Sequence, residues 1–340
     1  MISNPPGLDL SRLRAYLDVA CPDLAGGPLS ARLIEGGRSN LTYVVRGATG
    51  SWVLRRPPLG HVLPTAHNMA REYRAISALA PTAVPVPTPI ALCVDESVLG
   101  APFYLMERVD GRVYRSARQS ATLAPEQAAA LADAMMRVLA DLHSIDPAAV
   151  GLGDFGRPEG FLGRQLRRWV AQLDASRSRP LADIDELHAE LSERVPASPP
   201  PAIVHGDYRL DNLIVGPDQS IAAVVDWEMT TVGDPLTDLG ILAVYWDGLS
   251  SLPGSVSEAV GPDSPFPRSA ALIEMYAQHR DVDPSALPWY VAFGYFKLAV
   301  ISEGIHYRYA HGQTVGTGFD GIGKQTATLA GLGRSTLREA

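Results

Sequence analysis

Short apolar runs punctuated by glycine and proline fill the first hundred residues, and their alternation predicts strands at Ala31–Glu35, Leu41–Arg46, Trp52–Arg55, Ile90–Val94 and Phe103–Glu107. One helical stretch, His67–Leu79, sits among them and must end before the proline-rich segment Pro81–Pro89. From about Pro125 the apolar period becomes helical. Ala130, Leu131, Ala134, Met135, Val138, Leu139 and Leu142 share one face over Gln127–His143. Further helices are predicted at 160–175, 181–194, 235–245, 268–280 and 286–311. Residues 202–228 interrupt this pattern with Ile203-Val204, a polar loop, Leu213–Val215, a turn at Gly216-Pro217-Asp218, and Ile221–Val225. The expectation is an α+β protein: a β-rich first lobe over residues 1–108, then a larger helical lobe over 109–340 that carries a small β insert. Clefts between lobes of this kind are common ligand sites.

Composition narrows the choice of partners. The chain has 340 residues, 46% hydrophobic and 19% charged, with a formal net charge of −8, so neither a disordered chain nor one that lives on nucleic acid or anionic membrane fits. The charge is unevenly divided: residues 1–108 carry 10 basic and 8 acidic side chains, the remainder 19 and 29. Cys21 and Cys93 have no metal-knuckle spacing, and the start shows neither a basic n-region nor an apolar h-region, so a reduced, cytoplasmic location is expected. The longest apolar run, Trp289–Ile301, is broken by Lys297, and no membrane span is expected. Lysine occurs only at Lys297 and Lys324.

The densest chemical signal is His205-Gly206-Asp207-Tyr208-Arg209-Leu210-Asp211-Asn212, followed fourteen residues after Asn212 by Asp226-Trp227-Glu228. An aspartate with asparagine five residues on, then an apolar strand delivering a second aspartate, is the spacing of protein-kinase catalytic and metal-binding segments. Phosphoryl transfer to a hydroxyl needs a carboxylate that orients and deprotonates the acceptor, and hard oxygen ligands for Mg²⁺. Asp207 is the candidate base, Asn212 and Asp226 the candidate metal ligands, and Arg209 a candidate for stabilising charge on the transferred phosphate.

With these motifs the sequence resembles the aminoglycoside phosphotransferase-like branch of the protein-kinase-like fold, over about residues 29–312. The details SNLTY, VLRRPP and HGDYRLDN are most similar to the kinase-like domains fused to acyl-CoA dehydrogenases. The resemblance implies a two-lobed fold, ATP and Mg²⁺ as cofactors, and a small-molecule hydroxyl as acceptor, with hydroxyacyl compounds ahead of antibiotics. It implies a supporting role for Asp238 and His205, and main-chain contacts to adenine at Glu107 and Val109 with Met106 behind them. The glycine-rich turn Gly36–Asn40 suits a phosphate-covering hairpin, which makes Gly37, Ser39 and Asn40 candidates for nucleotide contact. Arg55 and Glu72 could form the ion pair that kinases build from lysine and glutamate. Val53 shares the face of Arg55 by alternation, where it would meet adenine, and Arg56 points the other way. No lysine exists in this lobe, so arginine must replace it as the phosphate-binding cation. Two competing readings are an aminoglycoside-modifying enzyme, which the acidic second part favours, and a nucleotide-binding protein without turnover. The oligomeric state is left open.

Overall fold

The computed structural model describes residues 4–24, 26–34, 40–59, 68–249, 259–312 and 321–339. The elements in chain order are α1 (Leu10–Ala20), β1 (Ser30–Leu33), β2 (Leu41–Gly47), β3 (Gly50–Arg56), α2 (Met69–Leu79), β4 (Pro89–Cys93), α3 (Glu96–Leu99) and β5 (Phe103–Glu107). They continue with α4 (Ala117–Ser120), α5 (Pro125–Ser144), α6 (Phe161–Ser176), α7 (Ala182–Glu193), β6 (Ala202–Val204), β7 (Leu213–Val215), β8 (Ile221–Val224) and β9 (Thr231–Gly233). The last are α8 (Leu236–Ala243), α9 (Ser269–His279), α10 (Leu287–Ala310) and α11 (Ile322–Arg338). Two compact units result: Met1–Gly111 with Ala222–Thr230, and Arg112–Ile221 with Thr231–Ala340.

In the first unit an antiparallel sheet runs in the order β1-β2-β3-β5-β4. One face packs on α1, whose Leu10, Leu13 and Leu17 join Tyr43, Val45, Trp52, Leu54, Phe103 and Leu105 in a common core. Each fully buried leucine contributes about 1.5 to 3 kcal/mol. The other face carries Val53, Arg55, Tyr104 and Met106. The register pairs Val53 with Met106 and Arg55 with Tyr104, and α2 turns its buried Glu72 toward them. Asn68 caps α2 by accepting from the Arg71 backbone N–H at 3.0 Å, which sets where Glu72 falls in the first turn. The segment Ala222–Thr230 is tied to this unit by the Val224 N–H donating to the Pro85 carbonyl (2.8 Å) and by Arg71 donating to the Thr230 carbonyl (3.0 Å).

The second unit is built around α10, which is buried on nearly every side and packs against α6, α7, α8 and α11. Its approach to α8 depends on Gly240, where a Cβ would lie 2.4 Å from the Tyr290 carbonyl oxygen. β6 pairs with β9, and the Gly216–Ser220 turn follows β7. No helix among the described residues is long and apolar enough to cross a membrane.

The strands and the helices expected from periodicity form close to their expected positions; the short α3, α4 and β9 were not expected, and the longer α1 and α11 also lie outside the expectations. Their signal was present. Leu10, Leu13 and Leu17 recur at helical spacing behind the N-cap Asp9, and Ile322, Leu329, Ala330 and Leu337 do so in α11.

Candidate active site

The second unit holds the loop His205–Asn212. Asp238, in the first turn of α8 and fully buried, fixes its entry: Oδ2 accepts from the His205 backbone N–H and Oδ1 from that of Gly206, both at 2.7 Å. His143 Nε2 lies 3.1 Å from Asp238 Oδ2, and its Nδ1 lies 2.8 Å from the Tyr276 hydroxyl, which itself accepts from Arg280. The consistent arrangement is a neutral imidazole donating from Nε2 and accepting at Nδ1. Burial depresses His143, against the pull of Asp238. Burial alone would raise Asp238, but the hydrogen bond from His143, with the Gly206 N–H, holds it below the usual carboxylate range. His205 is buried with Nδ1 facing the Asp207 backbone N–H at 3.2 Å, a bracing contact. Gly206 adopts φ +84°, which only glycine takes without strain, and its carbonyl accepts from Lys297 Nζ at 2.7 Å. Lys297, from α10, lies 5.7 Å from the centre of the Trp169 ring. Burial lowers its pKa, while Asp207 and Asp238 act to raise it.

Asp207 emerges half-buried from this frame. Its Oδ1 accepts from the Tyr245 hydroxyl (2.7 Å), and its Oδ2 accepts from Asn212 Nδ2 (3.0 Å), which also donates to the Asp207 carbonyl (2.8 Å). With the amide nitrogen committed to Asp207, the Asn212 oxygen is the atom left for a hard cation. Arg209 Nε stands 3.3 Å from Asp207 Oδ2 as an ion contact, its Nη1 is 3.2 Å from Asp211, and its guanidinium lies 5.1 Å from the centre of the Tyr245 ring.

The first unit holds the other candidates. Arg55 is buried. Its Nε is 3.0 Å from Glu72 Oε2, although that N–H is not aligned for a hydrogen bond, and its Nη2 contacts Asp226 Oδ1. Glu228 is 3.9 Å away. Burial works against the charged guanidinium, but Asp226 and Glu72 outweigh it and keep Arg55 firmly protonated. Burial pushes the Glu72 carboxyl up, while Arg55 and the hydrogen bonds from Tyr104 (2.9 Å) and Asn40 (3.1 Å) pull it back. Asn40 also donates to Glu228 at 3.0 Å, so its side chain bridges two carboxylates. Asp226 has φ +70° and ψ +60°, a left-handed conformation that few non-glycine residues adopt and that functional sites retain. Val53 and Met106 line the same face as Arg55. The Glu107 N–H donates to the Thr88 carbonyl (2.8 Å) and its carboxylate accepts from Thr88, so only its main-chain carbonyl is left for a base. Val109 follows, half-buried, beyond the end of β5. Arg56 points to the opposite face, where it donates to the carbonyls of Leu99 (2.9 Å) and Gly7. Gly37 and Ser39 lie outside the described residues.

Sequence reasoning missed Tyr245, Tyr104 and Glu228 as members of these clusters, and it noted Lys297 only for its rarity and as a break in an apolar run. Tyr104 was recoverable by alternation, two residues before Met106 on the same face, and Glu228 by its place beside Asp226. Nothing local marks Tyr245, which lies 38 residues from Asp207. Among the described residues no group of three or more His, Cys, Asp or Glu is placed to hold a metal alone. The Asn212 amide oxygen and the Asp226 carboxylate are each hard oxygen ligands of the kind that Mg²⁺ takes.

The His143–Asp238 pair makes a prediction for stability. The unfolded chain binds a proton near His143's ordinary pKa of 6.5, whereas the native imidazole resists it, so stability falls as pH drops below that value. Protonation of Asp238 extends the loss below its ordinary 3.8, as the pH falls through its lowered native value. His143→Gln can keep the donor without titrating. Thermal unfolding between pH 7.5 and 5 should show a shallower acid loss for His143→Gln than for the wild type, by up to about 1.4 kcal/mol per pH unit. Parallel curves would show that His143 does not carry the effect.

A family model described as phosphotransferase enzyme family matches residues 30–278. Acyl-CoA dehydrogenase family member 11 of Rattus norvegicus is 34% identical over 316 residues, covering 89% of this chain and 40% of the relative. The probable acyl-CoA dehydrogenase IBR3 of Arabidopsis thaliana is 33% identical over 296 residues, covering 81% of this chain and 36% of the relative. The chain thus spans well under half the length of these relatives. A Ralstonia eutropha structure carrying an aminoglycoside phosphotransferase label superposes with a TM-score of 0.83 at 34% identity, covering 98% of this chain and 99% of that one.

Proposed function

The chain belongs to the phosphotransferase enzyme family and has its protein-kinase-like α+β fold, and from that premise we propose that it transfers the γ-phosphoryl group of ATP to a hydroxyl of a small acyl metabolite. A phosphotransferase acting on an alcohol group is the class the family establishes; ATP, Mg²⁺ and the acyl acceptor are the finer reading. One observation carries it: Asp207 is held by donors to both carboxylate oxygens, in a loop pinned by Asp238 and Lys297, yet stays partly exposed.

Asp207 takes the proton of the acceptor hydroxyl as its oxygen bonds to the γ-phosphorus and the bond to the ADP oxygen breaks. Asn212 and Asp226 would hold Mg²⁺, which when bound neutralises phosphate charge. Arg55 contributes the cation that a lysine supplies in kinases, and its planar fork can grip two phosphate oxygens. Arg209 is placed to offset charge near the base. Support for nucleotide use comes from a solved structure that shares the fold at 14% identity and a TM-score of 0.62, a thermostable mutant of aminoglycoside phosphotransferase APH(4)-Ia in ternary complex with ADP and hygromycin B.

Local charge is what supports the choice of acceptor class. Arg209 stands 3.3 Å from Asp207 Oδ2, and Lys297 lies on the carbonyl of the neighbouring Gly206. These cations suit an anionic acceptor such as a hydroxyacyl-CoA. The excess of acid beyond residue 108 and the hygromycin B bound by that structure of the same fold favour a cationic sugar instead. A screen for ADP release over hydroxyacyl-CoA thioesters, free hydroxy acids and aminoglycosides, with and without Mg²⁺, separates the two. The expected result is Mg²⁺-dependent ADP release with an anionic hydroxy compound. Turnover of aminoglycosides alone would reverse the acceptor assignment, and equal ATP affinity with and without Mg²⁺ by calorimetry would remove the metal assignment.

A further inference from the structure

The catalytic loop leaves one question open: what sets the direction in which Asp207 presents its lone pairs. The terminal torsion of an aspartate is broad, so a carboxylate held at one oxygen only can rock. Asn212 and Arg209 engage Oδ2, and both come from the same loop as Asp207. Among the described residues the donor to Oδ1 comes from a distant element, the hydroxyl of Tyr245 at 2.7 Å. Resting on the reading of Asp207 as the base, we propose that Tyr245 is a positioning residue that fixes the plane of the Asp207 carboxylate for proton abstraction from the acceptor.

The local backbone favours this role. Helix α8 does not simply end at Ala243; it continues as one π turn over Val244–Gly248, in which the Leu249 N–H donates to the Val244 carbonyl five residues earlier at 2.9 Å. A π turn adds a residue to the helical circuit and re-aims the side chains within it, and such turns concentrate at functional sites. This one is held at its far end. Asp247 Oδ2 accepts from the Ser269 backbone N–H (2.9 Å) and hydroxyl (2.6 Å). Gly248 is required because a Cβ there would sit 2.2 Å from the Tyr295 hydroxyl oxygen. On its ring face Tyr245 meets the Arg209 guanidinium, so the same tyrosine touches both named groups of the loop. Burial, reinforced by the negative charge of Asp207, raises the phenol well above its ordinary value and keeps it a donor. Two donors on opposite carboxylate oxygens, from separate parts of the chain, define a plane that neither defines alone.

The test is Tyr245→Phe, which removes one oxygen and keeps the ring under Arg209. Crystal structures of the wild type and of Tyr245→Phe are compared first, since they need no acceptor. The expected result is a single ordered Asp207 rotamer in the wild type and a rotated or split carboxylate in the variant. With the acceptor that the wild type turns over, kcat should fall about ten- to hundredfold, the scale of a misaligned reacting group, with KM for ATP within twofold. A merely structural tyrosine would lower the melting temperature and leave that split absent. An Asp207 equally ordered and unmoved in the variant, or an unchanged kcat, overturns the proposal. Asp207→Asn, assayed alongside, separates the two levels: if it retains activity the base assignment itself fails, whereas loss with Asp207→Asn but not with Tyr245→Phe removes only the role of Tyr245.

Discussion

Asp207→Asn should slow phosphoryl transfer by about 10² to 10⁴, the usual contribution of a positioned general base, while Mg·ATP binds near wild-type strength. The substitution keeps the shape of the side chain and removes its basicity. Its surroundings tell how the amide would sit. Oδ2 accepts from Asn212 Nδ2 and has the Arg209 guanidinium beside it as an ion contact, so the amide oxygen should take that side. The amide NH₂ would then face Tyr245, whose hydroxyl can rotate from donor to acceptor. The loop therefore need not move, and Asn212 keeps its bond to the backbone carbonyl of residue 207. Steady-state kinetics with calorimetry of Mg·ATP binding checks the outcome. Normal turnover of a verified acceptor would mean that Asp207 is not the base. Unaltered Mg·ATP binding in both Asp207→Asn and Asp226→Asn, with no acceptor ever phosphorylated, would favour a nucleotide-binding protein without turnover.

Arg55→Met should weaken ATP binding by roughly ten- to hundredfold, equivalent to about 1.5 to 3 kcal/mol for a charge-assisted hydrogen bond. It should also lower the melting temperature, because Glu72 and Asp226 are left beside each other without their cation. Arg55→Lys separates these effects: it restores a positive charge at the same strand position, so it should recover most of the stability and a measurable part of the binding. Arg56→Met is the control. Arg56 braces the carbonyls of Gly7 and Leu99 on the other face of β3, so its loss should reduce stability and spare ATP affinity. The reverse ranking of Arg55→Met and Arg56→Met in ATP titrations would place the nucleotide on the wrong face of the sheet.

Much of this protein was legible in one dimension because its chemistry is local. Asp207 and Asn212 are five residues apart, a spacing at which one loop can bring an amide to its own aspartate, and the contact forms. The opposite facing of Arg55 and Arg56 followed from strand alternation, and the pairing of Arg55 with Glu72 was what the resemblance to kinases implied. Asp238 was expected to support the loop, and it does so through two backbone N–H groups.

Other features depend on contacts that no spacing rule encodes. Asn40 stood out as part of a glycine-rich turn, but its side chain serves as a bridge between Glu72 and Glu228, 188 residues apart from the latter. Lys297 looked like an interruption in an apolar run; only the packing of α10 shows its ammonium on the Gly206 carbonyl. Tyr245 reaches Asp207 because a π turn, invisible to a 3.6-residue period, redirects it. The sequence by itself determined which groups could carry phosphoryl transfer, since residue type and short-range spacing are enough to specify acid, amide and cation. The tertiary structure decided which of them are fixed in place, because a buried polar group must find its partner wherever the chain supplies one, at any distance along it.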